Sequence, residues 1–313
     1  MNAPALSVIV VSWNTRTYLA RCLASIPQAA RPLVFEVIVV DNGSSDGTQT
    51  LVATQFPDVR LIQNEENVGY GRATNIGVKA SRGQFLLVLN GDCELAPGAL
   101  TTMIEVLDRE PSLAGVFCRL LNTDGSLQPS VHRSLPSPWS LFGELLFLST
   151  MRHALYRRPA LHRWLLPWTI KAHRHPHDVA WGGGACMVVR REAFEAVGGF
   201  DEGFFMYCED MDICKRICAL GFRLRYLPGP SVIHHWGKAT RQLPAVMLRE
   251  AYRSRIYYFE KHFPGWGGHM ARALALFELL NRWALCSALA LIPSRSRAIF
   301  RSRAEASAAC VRD

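Results

Sequence analysis

Four short apolar runs near the N-terminus constrain this chain most. They are Ser7–Trp13 (SVIVVSW), Glu36–Val40 (EVIVV), Val59–Ile62 and Gln84–Leu89 (QFLLVL). The first two are β-branched and nearly continuous in their apolar character, the mark of strands buried on both faces of a parallel sheet, and the other two read as a third and a fourth strand. Helical patterns fill the gaps. Tyr18–Ile26 reads as a helix ended by Pro27, Arg72–Ala80 as a second, and Pro97 opens a third that runs to about Arg109. Strand and helix alternating in this way predict an open, mostly parallel sheet flanked by helices, with ligands at the carboxyl ends of its strands.

Residues 134–178 break the rhythm with five prolines among tryptophans, leucines and basic residues, which predicts a lid, an acceptor-binding insertion or a membrane-facing hairpin. Patterning resumes with a strand at Ala185–Val189, a short helix near Glu192–Val197, and a helix from Glu209 to Leu220 closed by Gly221, with Ile213, Ile217 and Leu220 as its buried stripe. A length of 313 residues is enough for one large α/β domain with appendages. The nine cysteines are odd in number and contain no CxxC pair, which points to reduced thiols in a cytosolic chain. The opening MNAPALSVIVVSWN has no basic region ahead of its apolar run and does not read as a secretory signal.

Chemistry gathers where strands end. After the second strand comes Asp41-Asn42-Gly43-Ser44-Ser45-Asp46-Gly47. An acid at that tip can meet a base or ribose edge, although the segment is equally an ordinary turn and helix cap. The fourth strand delivers Asn90-Gly91-Asp92, where a carboxylate could hold a cation bridging two phosphates; the alternative is a polar turn. Glu209-Asp210-Met211-Asp212 places three acids in a first helical turn, which compensates the helix dipole or supplies a general base. His234 and His235 adjoin on a strand pattern, so one of them at most faces a given site. Gly69-Tyr70-Gly71 imitates a dinucleotide fingerprint but lacks the third glycine and follows the wrong strand. His173, His175 and His177 read as a solvated basic loop.

In order, these segments resemble the family 2 glycosyltransferases of the GT-A fold, in particular the bacterial rhamnosyltransferase-like branch. The matching stretches are VIVVSWN (8–14), VVDNGSSDGT (39–48), NVGYGRATNIG (67–77), LLVLNGDCEL (86–95), DGSLQPSVHR (124–133), GGACMVVRREAF (183–194), GGFDEGFFMYCEDMDICKRICALGF (198–222) and SVIHHWGKAT (231–240). The resemblance implies a nucleotide-diphospho-sugar transferase fold over residues 1–262, with a helical insertion at 134–178 and a helical, basic extension at 263–313. It implies that Asp41 recognises the pyrimidine of the donor, with Ser12, Asn14 and Asn67 nearby and Asn90, Gly91 and Asp92 at the diphosphate. Asp92 and His234, or less readily His235, would hold Mg²⁺ or Mn²⁺, and Asp210, beside Glu209, would be the catalytic base of an inverting displacement. Trp181, Gly183, Gly184 and Glu209 would line the sugar side. Two departures stand out: Asn90 and Gly91 replace an acid and a proline of the family's patterns, and Thr74 stands where many relatives outside this branch carry arginine.

The implied donor is a dTDP- or UDP-linked sugar, with dTDP-L-rhamnose first, and the implied acceptor is a glycan or lipid-linked hydroxyl of the cell envelope. A nucleotidyltransferase would need a glycine-rich basic loop after the first strand, which SWNTRTYLARC lacks. A non-catalytic nucleotide-sugar-binding protein is the remaining alternative, and the Glu209-Asp210 pair argues against it. The net charge of +9 does not follow a nucleic-acid module, since its arginines gather at two apolar segments. One of these, Met270–Ile292, carries Glu278 and Arg282 at i, i+4 and is followed by Arg295, Arg297, Arg301 and Arg303. It reads either as a helix lying on an anionic membrane or as one packed on the protein, placing the chain in the cytoplasm or on the inner membrane's cytoplasmic face.

Overall fold

The computed structural model describes residues 3–139, 173–239, 242–291 and 297–312. The predicted insertion therefore lies mostly outside the described residues. Among them the chain forms two compact units. The first comprises residues up to 135, 173–205 and 209–239; the second comprises 136–139, 206–208 and the segments from 242 onward.

In the first unit β1 (Leu6–Ser12), β2 (Phe35–Asp41), β3 (Arg60–Gln63) and β4 (Phe85–Asn90) are parallel neighbours in the order β3-β2-β1-β4. The sheet continues through β11 (Cys186–Arg190), β6 (Leu113–Leu121), β12 (Arg223–His234) and the short β5 (Cys93–Leu95). β6 and β12 run with the first four strands, and β11 runs against them. The mostly parallel sheet is thus present, with β11 reversed inside it and β5 reversed at its edge. The short strands β7 (Leu127–Gln128) and β9 (His177–Val179) pair antiparallel on β6 and β12, while β8 (Val131–His132) and β10 (Trp181–Gly182) form a separate two-stranded ladder.

Every residue of β1 is buried, as its continuous apolar run demands. Leu6, Val8 and Val10 join a core with α1 (Arg16–Ala30) and α4 (Ala99–Arg109) through Leu19, Leu23, Ile26, Leu100, Met103 and Leu107. The other face of β1 meets α3 (Tyr70–Lys79), where a Cβ on Gly77 would stand 2.4 Å from the Ile9 side chain and 3.0 Å from that of Val40. Among the described residues, the remaining helices of this unit are α2 (Thr48–Gln55), α5 (Arg191–Ala196) and α6 (Glu209–Ala219).

Four expectations are corrected. Pro27 lies inside α1 and does not end it. The proline removes one backbone bond, but Ala29 and Ala30 are fully buried and the Gln28 carbonyl accepts the Gly98 N–H, so packing carries the last turn through. α4 begins at Ala99, after a left-handed Gly98, so Pro97 precedes it. Leu220 is 53% exposed because it follows the end of α6, and the helix buries Ile213, Cys214 and Ile217. The histidine loop is not uniformly solvated: His173 is buried, with its ring 5.1 Å from that of Tyr226, and His177 opens β9.

The second unit contains α7 (Pro244–His262), α8 (Trp266–Leu291) and α9 (Arg297–Arg312). Ala271, Ala275, Leu279 and Cys286 form the buried stripe of α8, while Leu276, Phe277, Leu280, Trp283 and Leu285 are exposed. Glu278 pairs with Arg255 of α7 at 2.8 Å, and not with Arg282 as its spacing suggests.

Gly77→Ala should lower stability by about 1–3 kcal/mol, since a new methyl must displace Ile9 in a filled interface. Urea unfolding of the two proteins checks this; equal midpoints would contradict the close helix-on-sheet approach.

Candidate active site

The register of the parallel strands brings the predicted residues together. Ser12 and Asp41 are partners across β1 and β2, and Val11 and Asn90 are partners across β1 and β4, so three strand ends line up along the carboxyl edge of the sheet. Gly91 continues this edge by donating its N–H to the Val11 carbonyl, and its missing Cβ would lie 3.4 Å from that of Ser12. On the far side the Asn90 N–H donates to the carbonyl of Ala185, just ahead of β11.

Asp41 is fully buried. Its Oδ2 accepts from the Gln49 side chain at 2.5 Å and from the Ser44 N–H at 3.3 Å, whereas its buried Oδ1 has no hydrogen-bond partner. A buried acceptor left this way is normally completed by a ligand or water. The loop beside it is held by Asn14, which adopts a left-handed φ of 49° and accepts the Ser45 N–H while its own N–H donates to Ser44 Oγ. Ser12 Oγ lies 3.0 Å from Thr15 Oγ1. Asn67 accepts with its carboxamide oxygen from Asn42 Nδ2 and from the Gly69 N–H, contacts that shape the 64–69 turn. Asn42 is the hub of that turn, reaching Asn64, Asn67, Val68 and Gly69.

Asp92 follows β4 and meets β12. His234 Nε2 lies 3.4 Å from Asp92 Oδ1 and 3.5 Å from Asn90 Nδ2, and both Asp92 and His234 are buried. Burial would raise the Asp92 carboxyl, but hydrogen bonding and charge interaction with His234, together with the Lys238 N–H, hold it below the usual carboxylate range. His235 points to the opposite side of the strand, where its Nε2 contacts Glu94 at 2.5 Å and its ring lies 4.9 Å from that of Tyr18. Cys93 also lies within reach of Asp92 and His234. Its thiol faces the Ala185 carbonyl, however, and burial pushes its pKa well up, which leaves it a neutral group and a poor ligand.

Asp210 joins the same edge through Gly184. Its Oδ2 accepts the Gly184 N–H at 3.1 Å and its Oδ1 accepts the Met211 N–H at 2.8 Å. Burial pushes Asp210 up against these two donors. Burial and then the charge of Asp210 push Glu209 up to about 8, and Glu209 Oε2 is buried without a hydrogen-bond partner. Gly183 and Gly184 lie directly over Asp210; a Cβ on Gly184 would stand 3.6 Å from that of Asp210 and 3.5 Å from the Tyr70 ring. Trp181 sits further along, stacked on His132 at 4.1 Å, with its Nε1–H donated to the Ser134 carbonyl. Asp212, the third acid of the helix start, pairs with Arg216 at 2.6 Å and takes no part in the edge.

Three residues at the site escaped sequence reasoning. Tyr70 donates its hydroxyl to the Gly184 carbonyl at 2.8 Å, Gln49 holds Asp41, and Gln128 Oε1 lies 2.7 Å from His234 Nδ1. Tyr70 and Gln128 fall inside matched stretches, but their partners are more than a hundred residues away in sequence.

A sheet of this order with its polar groups along one carboxyl edge is the GT-A glycosyltransferase fold. The mannosyltransferase of Pyrobaculum calidifontis, solved with GDP-Man and Mn²⁺, superposes with a TM-score of 0.56 at 18% identity, over 99% of this chain and 88% of that one. The chain belongs to glycosyl transferase family 2, whose pattern matches residues 7–198, and it is a glycosyltransferase. A second pattern, glycosyl transferase family group 2, matches residues 168–295. Among relatives, the N-acetylglucosaminyl-diphospho-decaprenol L-rhamnosyltransferase of Mycobacterium tuberculosis is 32% identical over 95% of this chain and 93% of its own length. The rhamnosyltransferase WbbL of Escherichia coli K12 is 39% identical over 81% of this chain and 92% of its own.

The raised Glu209 has a thermodynamic signature. Below the ordinary value of 4.5 both folded and unfolded states hold the proton; between 4.5 and about 8 only the folded state does, so stability falls as pH rises; above that it levels off. Glu209→Gln removes this titration. Its stability relative to the parent should therefore increase between pH 5 and pH 8 in parallel urea titrations, and a difference independent of pH would contradict the burial of that carboxyl.

Proposed function

We propose that this glycosyltransferase moves L-rhamnose from dTDP-L-rhamnose to a hydroxyl of a diphosphate-linked, lipid-anchored N-acetylglucosamine, with inversion at the anomeric carbon. The observation that carries the reading is the Asp92–His234 pair, 3.4 Å apart, on the same strand edge as Asp41 and Asp210. The names of the two rhamnosyltransferase relatives support the sugar, and the mycobacterial one supports the acceptor. A UDP-hexose is the second donor, since Asp41 does not separate the two bases. Its open oxygen suits an N–H donor, which thymine and uracil both present at N3.

The residues fit a divalent cation. Two ligands at about 2.1 Å on one octahedral ion stand about 3 Å apart, close to the observed separation of one carboxylate oxygen and one imidazole nitrogen. Asp92 and His234 would hold Mg²⁺ or Mn²⁺, with Asn90 and Gly91 beside them at the diphosphate. When bound, the ion supplies positive charge against the leaving nucleoside diphosphate. On the protein's side, the Asp210 carboxylate accepts the proton of the attacking hydroxyl. Its raised pKa suits that role, and Glu209, protonated at neutral pH, leaves Asp210 as the charged member of the pair. Gly184 fixes the direction of that carboxylate through its N–H, and Trp181 offers an aromatic surface next to the sugar.

We assign catalysis to the first unit and membrane association to the last 51 residues, 263–313. α8 is long and apolar enough to cross a bilayer by length and composition. Its exposed Phe277, Leu280 and Trp283, with arginines following at 295–303, favour a helix lying on an anionic surface beside a lipid-linked acceptor.

Three measurements test these readings. Asp210→Asn should keep donor binding and lose about 10²–10⁴-fold in transfer; unchanged turnover refutes the base. Asp92→Ala should remove Mn²⁺ stimulation, and a variant still stimulated counts against the cation site. Phe277→Glu with Trp283→Glu should abolish flotation with phosphatidylglycerol vesicles, whereas undiminished flotation removes the surface helix.

A further inference from the structure

Beyond the acids and the histidine, a one-way chain of hydrogen bonds runs from the site into the β6–β7 hairpin. Asp124 starts it, because an exposed carboxylate only accepts. Ser126 Oγ must therefore donate to Asp124 Oδ1, at 2.6 Å. That leaves the Ser126 oxygen to accept from Asn122 Nδ2 at 2.9 Å, so the Asn122 carboxamide oxygen faces the other way and accepts Gln128 Nε2 at 3.1 Å. Gln128 Oε1 then faces the His234 ring at 2.7 Å and can only accept. Each link fixes the next, and the last one puts the proton on Nδ1 of His234. Its Nε2 is left facing Asp92 and Asn90, at 3.4 and 3.5 Å, the side on which a cation would take its lone pair.

The backbone supports this direction of reach. Gln128 pairs with Leu120 of β6, which pairs in turn with Val232 of β12, two residues before His234. Gln128 therefore approaches from two strands away and meets His234 on the ring edge opposite Asp92. The hairpin turn is itself closed by backbone bonds of Asn122 to Ser126 and of Gly125 to Asn122, so the chain rests on a rigid end.

We propose that Gln128 is a positioning residue for the cation site: with Asn122, Ser126 and Asp124 it locks His234 in the Nδ1–H tautomer, presenting Nε2 as the ligand atom. An imidazole whose second nitrogen is tied to a fixed acceptor is both oriented and more basic, and losing such an acceptor commonly weakens metal binding by about 10- to 100-fold. The inference rests on Asp92 and His234 being the cation ligands.

Gln128→Met removes the acceptor at similar length. Gln128→Glu keeps an oxygen for the ring while altering the bond to Asn122. Mn²⁺ binding to each purified full-length protein, with dTDP present and no acceptor, is read from the free-Mn²⁺ electron paramagnetic resonance signal. The Met variant should lose affinity about 10- to 100-fold, with dTDP binding in the absence of metal unchanged, and the Glu variant should keep most of it. An equal fall in both variants would assign Gln128 to hairpin structure alone, and wild-type affinity in the Met variant would remove its role; either result overturns the proposal and leaves the cation site standing. A parent protein that binds no Mn²⁺ with dTDP takes down the cation site and this proposal together. The ¹⁵N shifts of His234 in the metal-free protein, identified by their loss in His234→Gln, should show Nδ1 protonated; protonation at Nε2 instead overturns the tautomer lock.

Discussion

The parallel pairing of β4 with β1, capped by two further backbone bonds, is what the site depends on. Gly91 donates to Val11 on one side, and Asn90 donates to Ala185 on the other. Those two bonds tie the end of β4 to Ser12 and, through Ala185 and Gly184, to Asp210. A shift of one residue in this register would turn Asp92 away from His234 and toward the opposite face. The buried character of β1 and β4 makes such a shift costly, because every apolar side chain would change sides with it.

The chemistry also depends on how unevenly the carboxylates are satisfied. Asp92 is surrounded by donors and held ionised; Glu209 has a buried oxygen without a partner and is held protonated; Asp210 lies between these extremes, with two backbone donors working against burial. One strand edge thus keeps separate carboxylates in separate protonation states, as a site needs when one acid is to attract a cation and another is to take a proton.

Much of this was legible in sequence. The four apolar runs and their helices gave the parallel half of the sheet, because buried strands such as β1 and β4 show little alternation and are bounded by turn residues; β3, at the sheet's edge, is only half-buried or exposed. Asp41, Asn90 and Asp92 could be picked out because they end such strands. The misreadings share a cause. Pro27 signals a helix end locally, but Ala29 and Ala30 are packed; Leu220 keeps the helical period, but the helix ends before it; His173 looks solvated among basic residues, but Tyr226 covers it. Gln128 and Tyr70 are the other side of this limit. Their roles come from contacts 106 and 114 residues away, which no local pattern encodes.

The central claim is that Asp41, Asp92, His234 and Asp210 serve one ligand. Anomalous diffraction from crystals soaked with Mn²⁺ and dTDP tests it most directly. The account predicts a manganese peak bonded to Asp92 Oδ1 and His234 Nε2, with the thymine N3 against Asp41 Oδ1. A nucleotide bound away from Asp41, or a manganese peak elsewhere on the chain, would contradict it.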